Sequence, residues 1–117
     1  IKLLYTKDVN LTDDTLTTIL TVPSGYVAHW SLLFASNHDG STKTLTVYID
    51  KVSGGDIYII DDKNISSKDF LQFSDGVFVL QPGDAIKTQG DTTCDFTVAC
   101  TVDIQPAPQV TVEFNGS

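Results

Sequence analysis

The stretch Lys43 to Lys51, KTLTVYIDK, sets Leu45, Val47 and Ile49 against Thr44, Thr46, Tyr48 and Asp50 in strict alternation. Only an extended chain puts every second residue on one face, so this segment reads as a strand with one buried and one wet side. The same signature recurs along the chain, cut into short pieces by turn chemistry. Thr15 to Val22 alternates Leu16, Leu20 and Val22 against threonines and stops at Pro23-Ser24-Gly25. Tyr26 to Ser36, Asp56 to Asp61, Phe70 to Phe73, Val77 to Leu80, Asp84 to Thr88 and Cys94 to Gln105 follow. Between them lie Asn37-His38-Asp39-Gly40, Gly54-Gly55, Ser74-Asp75-Gly76, Pro82-Gly83 and Gln89-Gly90-Asp91, all turn formers. No window repeats apolar residues at helical spacing behind a cap. About eight or nine short strands of this kind predict an all-β fold, an antiparallel β-sandwich, with jelly-roll and immunoglobulin-like strand orders both open.

A chain of 117 residues with 41% hydrophobic side chains is long enough for one domain with its own core. Charge narrows the partners. Asp and Glu number 15 against 7 basic residues, every one of them Lys, for a net charge of -8. Phosphate recognition runs on clustered cations, and the guanidinium fork that grips phosphates and guanine edges is missing, so nucleic acid is excluded as a partner. No stretch has the roughly 18 consecutive apolar residues of a membrane span, so no membrane role is expected. The chain has no Met and begins at Ile1, which predicts that residues once preceded it.

Cys94 and Cys100 lie six steps apart in one predicted strand, about 20 Å, whereas bridged Cα atoms sit within about 7 Å. They cannot pair with each other there. Their even spacing places both with Phe96, Val98, Val102 and Ile104, the face of a buried core, where a thiol acts as a small hydrophobe; a bridge between subunits is the alternative.

The end of the chain changes character. Gln105-Pro106-Ala107-Pro108 is a stiff break, since each Pro fixes φ and withholds a ladder donor. Beyond it, QVTVEF resumes alternation with Val110, Val112 and Phe114. This divides the chain into a sandwich domain, 1–105, and a proline-hinged arm, 106–117, whose strand either caps its own sheet or adds to a neighbour's. The opening IKLLYT poses the same choice.

Groups that could carry chemistry are scattered. His29 and His38 occur in no zinc or triad spacing, and His29 alternates with Ser31 on the face opposite Ala28, Trp30, Leu32 and Phe34. Ser24, Ser31 and Ser36 lie in no nucleophile elbow. Asp13-Asp14 and Asp61-Asp62 are the carboxylate clusters; adjacent residues point apart, which suits no glycosidase pair, though Asp61, Asp62 and a loop carbonyl could hold calcium. Asn10-Leu11-Thr12 and Asn64-Ile65-Ser66 match the glycosylation sequon, a frequent chance match in a Thr- and Ser-rich chain. Leu80-Gln81-Pro82-Gly83-Asp84 needs no chemistry: Pro then Gly is the grammar of a type II turn, with Asp84 placed to bond loop amides.

Three segments in order, VPSGYVAHWSLLFASN (22–37), KTLTVYIDK (43–51) and FLQFSDGVFVLQPGDAIKT (70–88), are closed by the alternating strand at 94–104. This succession resembles small virion structural proteins of tailed bacteriophages, in which a Val-Pro-x-Gly turn opens a strand ending in Asn and a Leu-x-x-Gly-Asp turn comes before the last strands. The resemblance covers about residues 15–105 and rests on the order of turn motifs. It implies a β-sandwich without catalytic activity or cofactor, a capsid decoration (cement) protein or else a tail, neck or fibre-attachment component. It further implies the major capsid protein or other virion proteins as partners, homo-oligomers, often trimers, and assembly in the host cytoplasm into the virion. Outer-face Val27 and Leu33, with Val110, Val112 and Phe114 of the arm, are the expected partner contacts. The rival reading is a carbohydrate-binding module, in which Trp30, Tyr48 or Tyr58 stacks on a sugar and an acidic loop binds calcium.

Overall fold

The computed structural model describes residues 3–74 and 78–108. Nine strands run through them: β1 (Leu3–Leu11), β2 (Thr17–Thr21), β3 (Tyr26–Asn37), β4 (Lys43–Asp50), β5 (Asp56–Ile65), β6 (Phe70–Phe73), β7 (Phe78–Leu80), β8 (Ala85–Gln89) and β9 (Phe96–Pro106). One sheet has the order β1-β9-β3-β6, with β7 also on β3; the other has the order β2-β8-β4-β5. Every pairing is antiparallel. The two layers form the antiparallel sandwich that alternation predicts. The ladders pair β1 with β9, β2 with β8, β3 with β6 and β7, and β4 with β5, so the chain is one long hairpin wound across both layers. That is jelly-roll order, which settles the choice the sequence left open. No helix among the described residues is long and apolar enough to cross a membrane.

Burial follows the period of two wherever a strand is regular. In β9, Phe96, Val98, Cys100, Val102 and Ile104 are all buried and join Leu45, Val47 and Ile49 of β4 in one core. Both cysteines are free and buried: Cys100 follows its parity in β9, while Cys94 lies just before that strand with its sulfur against the Leu11 and Asp13 carbonyls. Burial pushes the Cys94 thiol up and the Cys100 thiol up to about 12. A thiolate is the reactive form, so neither sulfur is expected to react with an aromatic disulfide reagent at pH 8 in the native chain, while both react in denaturant. Rapid native labelling of Cys100 would show that the sandwich opens.

Where the register slips, the predicted faces fail. Between Trp30 and Leu32 the β3–β9 ladder shifts by one residue. An extra residue inverts every side chain beyond it. Ala28 and Trp30 point into the core before the bulge; after it Leu33, Ala35 and Asn37 do, while Leu32 and Phe34 move to the outer side. Leu33 is therefore a core residue, 2% exposed, and not the outer-face contact expected. Val27 also needs correction: it is 6% exposed, covered by its own chain. A second slip, between Thr18 and Leu20, buries Ile19 beside Leu20; of the predicted set, Leu20 and Val22 are buried and Leu16 is exposed. The opening segment pairs in its own sheet, Leu3 to Leu11 against Ile104 to Phe96. The arm residues Val110, Val112 and Phe114 lie outside the described residues.

The motif residues turn out to be architectural. Asn37 is buried; its Nδ2 donates to the carbonyls of Ser41 (3.0 Å), Ile65 (2.9 Å) and Ser66 (3.2 Å), and its Oδ1 accepts from the Asp39 amide (2.9 Å). It ties the end of β3 to the end of β5. Gly83 has φ of 90° and the Asp84 amide donates to Gln81 O at 3.0 Å, the type II turn that Pro82-Gly83 predicts. The Asp84 carboxylate is fully buried and accepts from the amides of Gln81 (2.8 Å) and Val52 (2.9 Å) and from Lys51 Nζ (2.9 Å).

Candidate interaction surface

A sandwich has four edge strands, and each edge is an unpaired row of amides and carbonyls that must be protected or used. The β1 edge carries Lys7 and Asp8. The β5 edge carries Asp56, Asp61, Asp62 and Lys63 and is broken by two register slips against β4, with Asp62 at φ of 48° and its amide tied to Thr46 Oγ1 at 2.9 Å. The β2 edge is short and keeps Ile19 and Leu20 inside. The fourth edge differs. There β6 pairs Leu33 to Ser36 and β7 pairs Ala28 to Trp30, end to end along β3. Neither short strand, FLQF or FVL, contains a charged residue. Phe70 (59%), Phe73 (46%), Phe78 (39%) and Val79 (48%) are all exposed on this edge.

The bulge shapes what lies behind it. Trp30 Nε1 donates to Leu32 O at 2.8 Å, which satisfies a carbonyl at the slip and locks the indole inward. Its ring meets Phe78 at 6.2 Å between centroids. Trp30, Leu33, Phe73 and Phe78 from one sheet and Ile59 from the other line a cleft of about 50 Å³ that opens between the layers. Its walls are almost wholly apolar. That is about a third of the ~150 Å³ that holds a benzene ring, so the cleft suits one aliphatic tip.

Around the other end of the edge, Phe34 and Phe70 stack at 5.8 Å on the outer face. With Ser36, His38, Lys68, Asp69 and Thr97 they border an open hollow of about 480 Å³. His38 Nε2 lies 3.0 Å from Ser36 Oγ and 3.3 Å from Thr97 Oγ1. Both hydroxyls share one ring nitrogen, and among the described residues no carboxylate bonds the other, as an acyl-transfer triad would need. His29 Nε2 lies 2.9 Å from Gln105 Nε2, and Ser31 Oγ donates to Thr101 O at 3.3 Å. These groups knit the outer face of the sheet.

On the opposite sheet Tyr48 and Tyr58 stack at 4.9 Å, with Tyr58 half exposed, beside the Asp50–Lys87 ion pair of 2.8 Å. Trp30, the third aromatic expected on a sugar platform, is buried and unavailable for it. Among the described residues no group of three or more His, Cys, Asp or Glu is placed to hold a metal, and Asp61 and Asp62 do not converge with a third.

Sequence reasoning missed the β6–β7 edge. A signal was present: Phe70, Phe73, Phe78 and Val79 fall at both parities, more apolar residues than one buried face can take up.

No protein-family model matches the chain, and no curated protein matches it by sequence. Its likenesses are of fold. The capsid structure of the Helicobacter pylori bacteriophage KHP30 contains a chain matching with a TM-score of 0.59 at 10% identity, over 92% of this chain and 94% of that one. A chain of the cyanophage Pam1 capsid matches with 0.51 at 13% identity, over 91% and 85%. A chain of the Bacillus endospore appendages, described as disulfide-linked pili, matches with 0.53 at 11% identity, over 92% and 89%. The fold is thus shared with phage capsid chains and a pilus chain.

Proposed function

We propose that this chain is a non-enzymatic structural subunit of a phage particle, a capsid decoration protein that binds the shell and its own neighbours. The observation that carries this reading is the uncharged, aromatic β6–β7 edge with an apolar cleft behind it. Monomeric proteins blunt such edges, and an edge left open is one that pairs with another chain. The order of turn motifs shared with tailed-phage virion proteins supports it, and so does the fold likeness to the KHP30 and Pam1 capsid chains. The partners are then the major capsid protein and further copies of this chain, as a trimer, assembled in the host cytoplasm into the virion. A tail, neck or fibre-attachment position uses the same edge.

The test is density-gradient purification of intact particles followed by mass spectrometry. The chain is expected to band with particles in fixed ratio to the major capsid protein and to come off at low salt or in mild denaturant. Its absence from washed particles overturns the reading. A position in tail or neck replaces decoration if the chain follows purified tails and leaves emptied heads.

The stacked Tyr48–Tyr58 pair favours a second reading, a sugar-binding face that works without calcium. Retention on a glycan column that is lost in Tyr58→Ala and unaffected by a calcium chelator would favour it.

A further inference from the structure

We infer that the β6–β7 edge of one copy is the acceptor for the C-terminal strand, residues 109–114, of a second copy, with a valine of that strand seated in the Trp30–Phe78 cleft. The inference rests on the structural-subunit reading and names the contact that reading leaves open.

The exit of the chain argues for a second copy. Pro106 pairs with Tyr26, and the Ala107 amide donates to Gly25 O at 2.8 Å. At this point β9 has run past the start of β3, away from the Ala28–Ser36 stretch that carries β7 and β6, and β3 itself stands between β9 and that edge. Returning to its own edge would take a reversal around the end of the sheet, just where Pro106 and Pro108 hold φ fixed. The same segment is well placed to leave the domain.

Complementarity argues for this edge. QVTVEF alternates Val110, Val112 and Phe114 against polar residues, the pattern a strand needs when one face packs on protein and the other meets water. Each copy carries a net charge of -8, so copies repel except where charge is sparse. The segment has Glu113 as its one charged residue, and β6 and β7 have none. The charged edges, β1 and β5, lack this property, and β2, also uncharged, turns Ile19 and Leu20 into the core and exposes only threonines. Size selects the knob: a cleft of about 50 Å³ admits the branched end of Val110 or Val112 but not the ring of Phe114, which is left for the exposed surface of Phe73 on the same face.

The test uses the full chain in two differently tagged forms, one Thr111→Cys and the other Gln72→Cys or Val79→Cys, mixed under mild oxidation. Cys94 and Cys100 are buried and do not compete. The expected result is a disulfide heterodimer of the two tags, absent when Thr6→Cys on the β1 edge replaces the acceptor. Val112→Asp, checked for folding by the emission of Trp30, is expected to abolish the oligomer in sedimentation velocity. If Val112→Asp unfolds, the cross-link alone decides. No heterodimer from either acceptor position, a purely intrachain bond in the Thr111→Cys/Gln72→Cys double variant, or an oligomer that survives in folded Val112→Asp overturns the inference. Particle banding fails or succeeds separately: a banding chain without the cross-link sinks this contact alone, and a cross-linking chain absent from particles sinks the virion role alone.

Discussion

Replacing Asp84 with alanine is expected to destabilise the domain by about 3 kcal/mol, because it leaves two loop amides without the buried carboxylate they bond and removes the partner of a lysine. The carboxylate closes one end of the sandwich. It holds the amides of Gln81 and Val52 and the Lys51 ammonium, while its own carbonyl accepts from the Val22 amide at 2.9 Å. Lys51 is about a quarter exposed and can turn to water once released, so the amides account for most of the cost. The same group sets an acid limit. Burial pushes the Asp84 carboxyl up, but the two amides and Lys51 together outweigh it and hold it below its usual value of 3.8. A depressed carboxylate pKa contributes stability that is complete above the unfolded value and is lost as pH falls through the folded one. Urea midpoints of the native chain are therefore expected to fall on acidification below about pH 4, and those of Asp84→Asn to fall less over the same window. Parallel pH profiles for the two chains would remove Asp84 from the account of acid stability.

Trp30→Ala is expected to cost about 4 kcal/mol, within the usual range for deleting a buried aromatic. The indole fills the space between the layers where the register slips, touches Phe78, and caps the Leu32 carbonyl through Nε1. Trp30→Phe separates the contributions, since it keeps an aromatic wall and drops the donor: about 1 kcal/mol of that total is expected to be lost in it. Chemical denaturation of the three chains, followed by far-ultraviolet circular dichroism, measures both steps. A loss below about 1 kcal/mol in Trp30→Ala would mean that the cleft collapses without cost and that its shape is not built in.

Much of this architecture was legible because turn chemistry is local. Pro82-Gly83, Gly54-Gly55 and Asn37 to Gly40 mark reversals whatever surrounds them, and regular strands such as β4 and β9 declare their buried face by parity. The failures cluster at register slips. The one at Ser31 turned Leu33 from a predicted surface contact into core and moved Leu32 and Phe34 outward; the one before Leu20 did the same to Leu16 and Ile19. A bulge is chosen by the partner strand and the packing around it, so nothing in the bulged segment alone announces it. Strand order is equally non-local. That β6 and β7 share one edge of β3, and that Ile59 reaches them from the other layer, depends on the whole winding. The candidate surface was therefore present in the sequence as an excess of apolar residues without a place to put them.

The pairing of β1 with β9 has a consequence for how the polypeptide is made. Leu3 finds Ile104 and Leu11 finds Phe96, so β1 leaves the ribosome long before the strand that completes its ladder. Contacts this distant along the chain make folding slow and leave sticky intermediates. Until β9 emerges, the β1-β9-β3 sheet of a nascent copy stays unclosed while the β2-β8-β4-β5 sheet can already form, a half-built state that a holding chaperone would protect.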